Sequence, residues 1–142
     1  MTDPVRDRHS MLSGLTPVLS EGIYVFCSVP RQDTSETLIK DALCVFKEEE
    51  GTTLVVSLQS ARAHGFDTDM PMRRIVLGVY SALDGVGLTA SVATALAEEG
   101  IPCNVIAAFH HDHVFVPEQL AEKALSVLHD VQQRAEVNAA NG

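Results

Sequence analysis

The chain of 142 residues is 46% hydrophobic and 20% charged, the make-up of a folded globular domain and not of a disordered, collagen-like or coiled-coil sequence. Its 10 Lys and Arg against 19 Asp and Glu leave a net charge of -9, which repels phosphate backbones and anionic bilayers, so neither nucleic acid nor a membrane is an expected partner. The first residues lack an apolar secretion signal, and Cys27, Cys44 and Cys103 form no CxxC pair and sit in apolar runs. A cytoplasmic protein with reduced thiols is therefore expected.

Residues 1–22 read as a helical packing arm, with Met11, Leu12, Leu15, Val18 and Leu19 near helical spacing but interrupted by Gly14 and Pro17. Ile23 to Val29, bounded by Gly22 and Pro30, is β-branched and aromatic and predicts a buried strand. Arg31 to Lys40 is a polar excursion. Ala42–Phe46 and Thr52–Ser57 then flank the acidic Lys47–Gly51 segment as the arms of a hairpin, and Gln59–His64 predicts a two-turn helix stopped by Gly65.

Pro71 marks a junction, after which Arg74–Ser81 is apolar on both parities, as a central strand would be. Leu88, Val92, Ala95 and Leu96 recur at helical spacing, with Gly100 and Pro102 as the stop. Cys103–Phe109 is a second strand, His110–Asp112 a turn, and His113–Val116 its returning partner. Pro117 and Glu118 open a last helix with Leu120, Ala124, Leu125, Leu128 and Val131 on one face. This half reads strand, helix, strand, strand, helix, so a ferredoxin-like unit lacks one strand, which must come from elsewhere. The expected division is a 1–22 arm, a first unit over 23–70, a second over 71–135 and a frayed 136–142 tail.

The loop Asp84-Gly85-Val86-Gly87-Leu88 carries the clearest chemistry. A helix starting straight after a glycine-rich strand exit leaves amides without intrahelical partners at the positive end of the helix dipole, a setting suited to a carboxylate. The alternative is that the two glycines only permit a tight turn. Asp84 is a candidate for a ligand ammonium group or for a turn-stabilising bond. Asn104 is unusual in an apolar run, and Ile106, Ala107 and Ala108 are candidates for a ligand-lined wall or for ordinary core. His110, His111, Asp112 and His113 resemble a chelating cluster, but a turn scatters such residues and no second cluster completes a coordination sphere, so no metal site is expected.

Ser81–Ala90, Leu96–Ile101 and Asn104–Ala107 together resemble the strand, loop, helix and strand of ACT regulatory domains. His110–Pro117 resembles bacterial tandem-ACT proteins, and the whole is similar to the ACT pairs of aspartokinases and of animal cytosolic arginine sensors. In the first half the resemblance rests on strand order and on Tyr24-Val25-Phe26-Cys27. The resemblance implies an α+β protein of two tandem ferredoxin-like ACT-type units, βαββαβ-related, with antiparallel sheets. It further implies a non-catalytic protein that binds an amino acid or similar metabolite without a cofactor, and a regulated partner on a separate chain. It matches Asp112 to an acidic position that would receive the ligand's amino group, the alternative being a solvated residue at the hairpin turn. Two features depart from the wider pattern: no catalytic domain is attached, and Val86 stands where a loop proline is usual.

The expected ligand site is therefore Asp84, Gly85, Val86, Gly87, Leu88, Asn104, Ile106, Ala107, Ala108 and Asp112, in a homodimer joined through exposed sheet edges. The competing readings are an ACT-like assembly module that binds no ligand and a metal-dependent enzyme using His110, His111 and His113.

Overall fold

The structure, a computed structural model, describes residues 3–141; Met1, Thr2 and Gly142, the last of these in the tail expected to fray, lie outside the described residues. By their contacts the residues form two compact units, one running from Gly22 to Met72 and the other made of the chain up to Glu21 and from Arg73 onward.

The Gly22–Met72 unit begins with β2 (Tyr24–Val29), preceded in the chain by β1 of the other unit. Its polar excursion contains a short 3-10 turn at Arg31–Asp33 and then α2 (Glu36–Asp41), a helix that hydropathy alone does not reveal. Ser35 starts α2 by accepting a hydrogen bond from the Leu38 amide, and Leu38 is its buried residue. The expected hairpin forms from β3 (Cys44–Lys47) and β4 (Thr52–Ser57), followed by α3 (Leu58–Ala63). β4 pairs antiparallel with both β3 and β2, giving the order β3-β4-β2, and Met72 pairs with Tyr24 on the far side of β2. Val25, Val29, Leu54 and Val56 alternate onto one face and bury Leu38 of α2 and Ala61 of α3.

The other unit assembles α1 (Arg8–Ser13), β1 (Pro17–Leu19), β5 (Met72–Leu77), α4 (Leu88–Glu98), β6 (Asn104–Ala107), β7 (Asp112–Pro117) and α5 (Ala121–Asn141). The missing strand of the ferredoxin-like pattern is β1, from the arm that composition predicts as helical. It lies antiparallel to β5 with Val18 opposite Val76, so the strands run β1-β5-β7-β6. Three residues beginning with proline are too short to show alternation, and proline at a strand start needs no ladder donor. Only Arg8–Ser13 of the arm is helical, capped by the Asp7 carboxylate on the Ser10 amide.

Ile75 and Leu77 of β5, Val114 and Val116 of β7, Val92 and Leu96 of α4 and Leu128 of α5 form the core of this unit, with Met11, Leu12 and Leu15 of the arm sealed into it. The arm turns at Thr16, whose φ of 45° is left-handed. Gln132 of α5 holds that turn from both ends of its amide. Its Oε1 accepts from the Thr16 amide at 2.8 Å, and its Nε2 donates to the Ser13 carbonyl at 3.1 Å. α5 continues helical to Asn141, through most of the 136–142 tail where fraying is expected. No helix among the described residues is long and apolar enough to cross a membrane.

Candidate functional site

The loop after β5, the start of α4 and the β6–β7 hairpin meet around a cleft of about 130 Å³. Gly85, Gly87 and Leu88 line it from the loop, Ala107 and Ala108 from the end of β6, and Asp112 from the start of β7. Six of the ten expected site residues thus gather in one place. Ala107 and Asp112 are register partners, which puts their side chains on the same face of the hairpin.

Asp112 is the chemical centre of the cleft. It is not a solvated hairpin tip: only 6% of it is exposed. Its Oδ2 accepts a hydrogen bond from the Ser81 hydroxyl at 3.0 Å. A carboxylate so far removed from water requires such donors, because its desolvation is otherwise uncompensated. Facing it, α4 begins at Gly87, which has φ of 104° and offers no side-chain cap. The first intrahelical bond of this turn runs from the Ser91 amide to the Gly87 carbonyl. The amides of Leu88, Thr89 and Ala90 therefore precede any helical acceptor, at the positive end of the dipole. One small space holds a buried acceptor of negative charge and a backbone terminus that favours a negative group.

The other four residues lie elsewhere. Asp84 accepts from the Arg6 side chain at 3.1 Å in an exposed ion pair, a contact of the kind that contributes about 0–1 kcal/mol. Val86 is 79% exposed on the outside of the loop. Asn104 and Ile106 pair with Phe115 and His113, and the two-residue period of a strand turns them to the face opposite Ala107. The Gly85 amide is already used, closing a turn on the Ala82 carbonyl at 3.0 Å.

The glycines make room chiefly for the arm. A Cβ on Gly87 would stand 2.7 Å from Arg8 Cδ, and one on Gly85 would stand 3.1 Å from both the Arg6 carbonyl and Met11 Sδ. Their close approach admits the N-terminal segment, which in turn supplies Met11 to the cleft. Ser81, Met11, Thr89 and Ala90 are thus site residues that sequence reasoning passes over. Ser81 carries a weak signal, as a hydroxyl at the polar end of an apolar strand. Met11 carries none, since an apolar arm residue looks like core.

The histidines disperse. The His110 ring tilts against Tyr80 with centroids 5.6 Å apart, while His111 Nδ1 lies 3.5 Å from the Val79 carbonyl. His113 turns to the face opposite Asp112, with its Nδ1 sealed from solvent and without a hydrogen bond. Burial lowers the His113 pKa below its ordinary value, helped by Arg74 and His111 and opposed by Asp112. Among the described residues no three His, Cys, Asp or Glu side chains gather in a way that holds a metal ion. Cys27, Cys44 and Cys103 are free and half-buried, and burial raises the thiol pKa of Cys27 and Cys103.

Residues 4–73 and 70–130 each match a model of the ACT domain. Among solved structures, a protein of unknown function from Vibrio cholerae, described as a possible transport protein, is 38% identical. The match covers 87% of this chain and 94% of that one, with a TM-score of 0.78. A protein from Agobacterium tumefaciens is 16% identical over 92% of this chain and 91% of its own, with a TM-score of 0.66. The ligand-free regulatory subunit of aspartate kinase from Thermus thermophilus is 14% identical over 83% of this chain and 97% of its own, with a TM-score of 0.58. The last two show likeness of fold. No curated protein sequence matches the chain.

Proposed function

Because the chain belongs to the ACT-domain family, with two ACT domains in tandem, we propose that it is a regulatory protein without catalysis that binds a small amino acid in the cleft at the start of α4. The observation that carries this reading is the pairing of Asp112 with the α4 terminus around one space. A free amino acid is a zwitterion whose ammonium and carboxylate groups are held on one α-carbon, and the cleft offers the complement of each. The α-carboxylate goes to the amides of Leu88, Thr89 and Ala90, and the ammonium group to Asp112 by a charge-assisted bond. Ser81 holds the carboxylate of Asp112 in place for that contact. Ala107 and Ala108 keep the wall low, so a short side chain fits and a long one does not.

The size of the cleft supports a small ligand. About 130 Å³ is below the roughly 300–1,000 Å³ of sites for drug-sized molecules. Binding acts by favouring whichever state of the protein closes on the ligand, so its regulatory effect is limited to the difference in affinity between states. The regulatory subunit of the Thermus enzyme supplies a fold-level precedent for amino-acid metabolism as the setting. The free thiols fit a reducing cytoplasm.

The homodimer belongs to the same reading. β3 ends the sheet order of its unit and carries the exposed Val45 and Phe46, with Ile39 and Leu43 exposed beside it. An open strand edge with an apolar flank favours pairing with a second copy.

The test is thermal denaturation of the wild type and of Asp112→Asn across the free amino acids. A ligand present at about a hundred times its dissociation constant adds about 2.7 kcal/mol, which raises Tm by roughly 5–10 °C in a chain of this size. The wild type responds to one or a few small amino acids and Asp112→Asn to none. A wild type that no amino acid shifts leaves the assembly module as the function.

A further inference from the structure

We propose a second binding site, in the groove that α1, α4 and the C-terminal part of α5 enclose, for a small organic anion carrying a short apolar chain. The groove measures about 520 Å³, within the roughly 300–1,000 Å³ typical of small-molecule sites. It borders the cleft at Asp112 at Ala90, which lines both, but none of its charged residues line that cleft.

Its chemistry is that of an amphipathic anion site. Leu12, Val131 and Ala135 supply an apolar floor, and Arg8, His9 and Arg134 supply the polar rim. In a chain of net charge -9 with only 10 Lys and Arg, two arginines and a histidine at one groove are a local reversal of sign. Glu98 is the acid among the lining residues. Yet among the described residues no carboxylate lies within ion-pair distance of Arg8 or Arg134. Both guanidinium groups are left with their donor forks available, the geometry that takes a carboxylate or phosphate by two parallel bonds. Arg8 is partly fixed already, because its stem packs where a Cβ on Gly87 would be, so less freedom is lost when it binds.

One wall of the groove lies beyond the matched ACT domains. The second ACT match ends at residue 130, and Val131, Arg134 and Ala135 lie on the stretch of α5 beyond it. The stretch of α5 past the match thus closes a groove whose other walls, Arg8 and Leu12 of the arm and Thr94 of α4, lie within the matched domains.

The experiment titrates the full chain with the fluorescent anion 8-anilinonaphthalene-1-sulfonate and competes the probe with hexanoate, hexyl phosphate and neutral hexanol. The probe is expected to bind and to be displaced by one or both anions but not by hexanol, and the better competitor tells carboxylate from phosphate. Arg134→Gln and Arg8→Gln are each expected to weaken binding about tenfold, the loss of one charge-assisted contact. Raising salt from about 50 mM to about 500 mM is expected to weaken it as well. Thr94 lines the groove without joining the rim of charge, so Thr94→Trp is expected to block binding by volume even if an arginine variant folds poorly. Absence of probe binding, displacement by hexanol as strong as by the anions, or equal affinity in the wild type, Arg134→Gln and Thr94→Trp each overturns the proposal.

Discussion

At Gly87 two demands meet in one residue. The backbone is left-handed, and the space a Cβ would fill belongs to the Arg8 stem. Gly87→Ala is therefore expected to cost roughly 1–3 kcal/mol, read as a fall in Tm. Gln132 is the opposite case, a surface-looking residue whose side chain ties down the turn at Thr16. Gln132→Ala is expected to destabilise by roughly 1–3 kcal/mol, because it removes a bond from the Thr16 amide and leaves a left-handed non-glycine turn unsupported. Chemical denaturation measures it. His113 gives a pH dependence with a definite sign. Its folded pKa lies below its ordinary 6.5, so the unfolded chain binds the proton more readily. The stability this neutral imidazole contributes is present above about pH 6.5 and is lost as pH falls toward the folded pKa. Tm is expected to drop between pH 7.5 and pH 5.5, and His113→Gln is expected to flatten that drop; a variant with the same slope as the wild type removes His113 as its source.

Among the elements, what periodicity could reveal depended on length. α4 and α5 repeat their apolar residues over several turns, and Val92, Leu96, Ala124 and Leu128 are buried as the spacing predicts, although Pro117 ends β7 and a 3-10 turn over Glu118–Leu120 precedes α5 at Ala121. Leu128→Ala, at a site with no exposed surface, is expected to cost roughly 2–5 kcal/mol, visible in the midpoint of urea unfolding. The hairpin of β3 and β4 was equally legible, since two apolar runs flank a charged turn. α2 and β1 were not, because α2 buries only Leu38 in a polar stretch and β1 has three residues, too few for a period; α3, as short as α2, was marked by its stop at Gly65. The site was half legible for a related reason. The glycine loop, the alanines and Asp112 could be read as a group from spacing and resemblance. Alternation along β6 separates Asn104 and Ile106 from Ala107, but that Ala107 is on the face of Asp112 follows only once the register with β7 is fixed. The Ser81 contact to Asp112 spans 31 residues, and no local pattern encodes it.

For the whole molecule, the sheet edges set the prediction on assembly. Phe46 is 67% exposed on β3, an outer strand of its sheet, and Phe46→Glu is expected to weaken the proposed self-association by placing a charge on that edge. Sedimentation velocity at several concentrations checks it, and an unchanged association state moves the interface elsewhere. The two units differ in how they are written in the chain. One is a single stretch from Gly22 to Met72, whereas the other takes its outer strand and three buried arm residues from before that stretch and the rest from after it. On the ribosome this imposes a schedule. The inserted unit has its complete sequence as soon as Met72 emerges, while Met11, Leu12 and Leu15 must wait for α4, β7 and α5 to be translated. Throughout that interval the segment carrying Met11, Leu12 and Leu15 has no core to enter and keeps its apolar side chains in water.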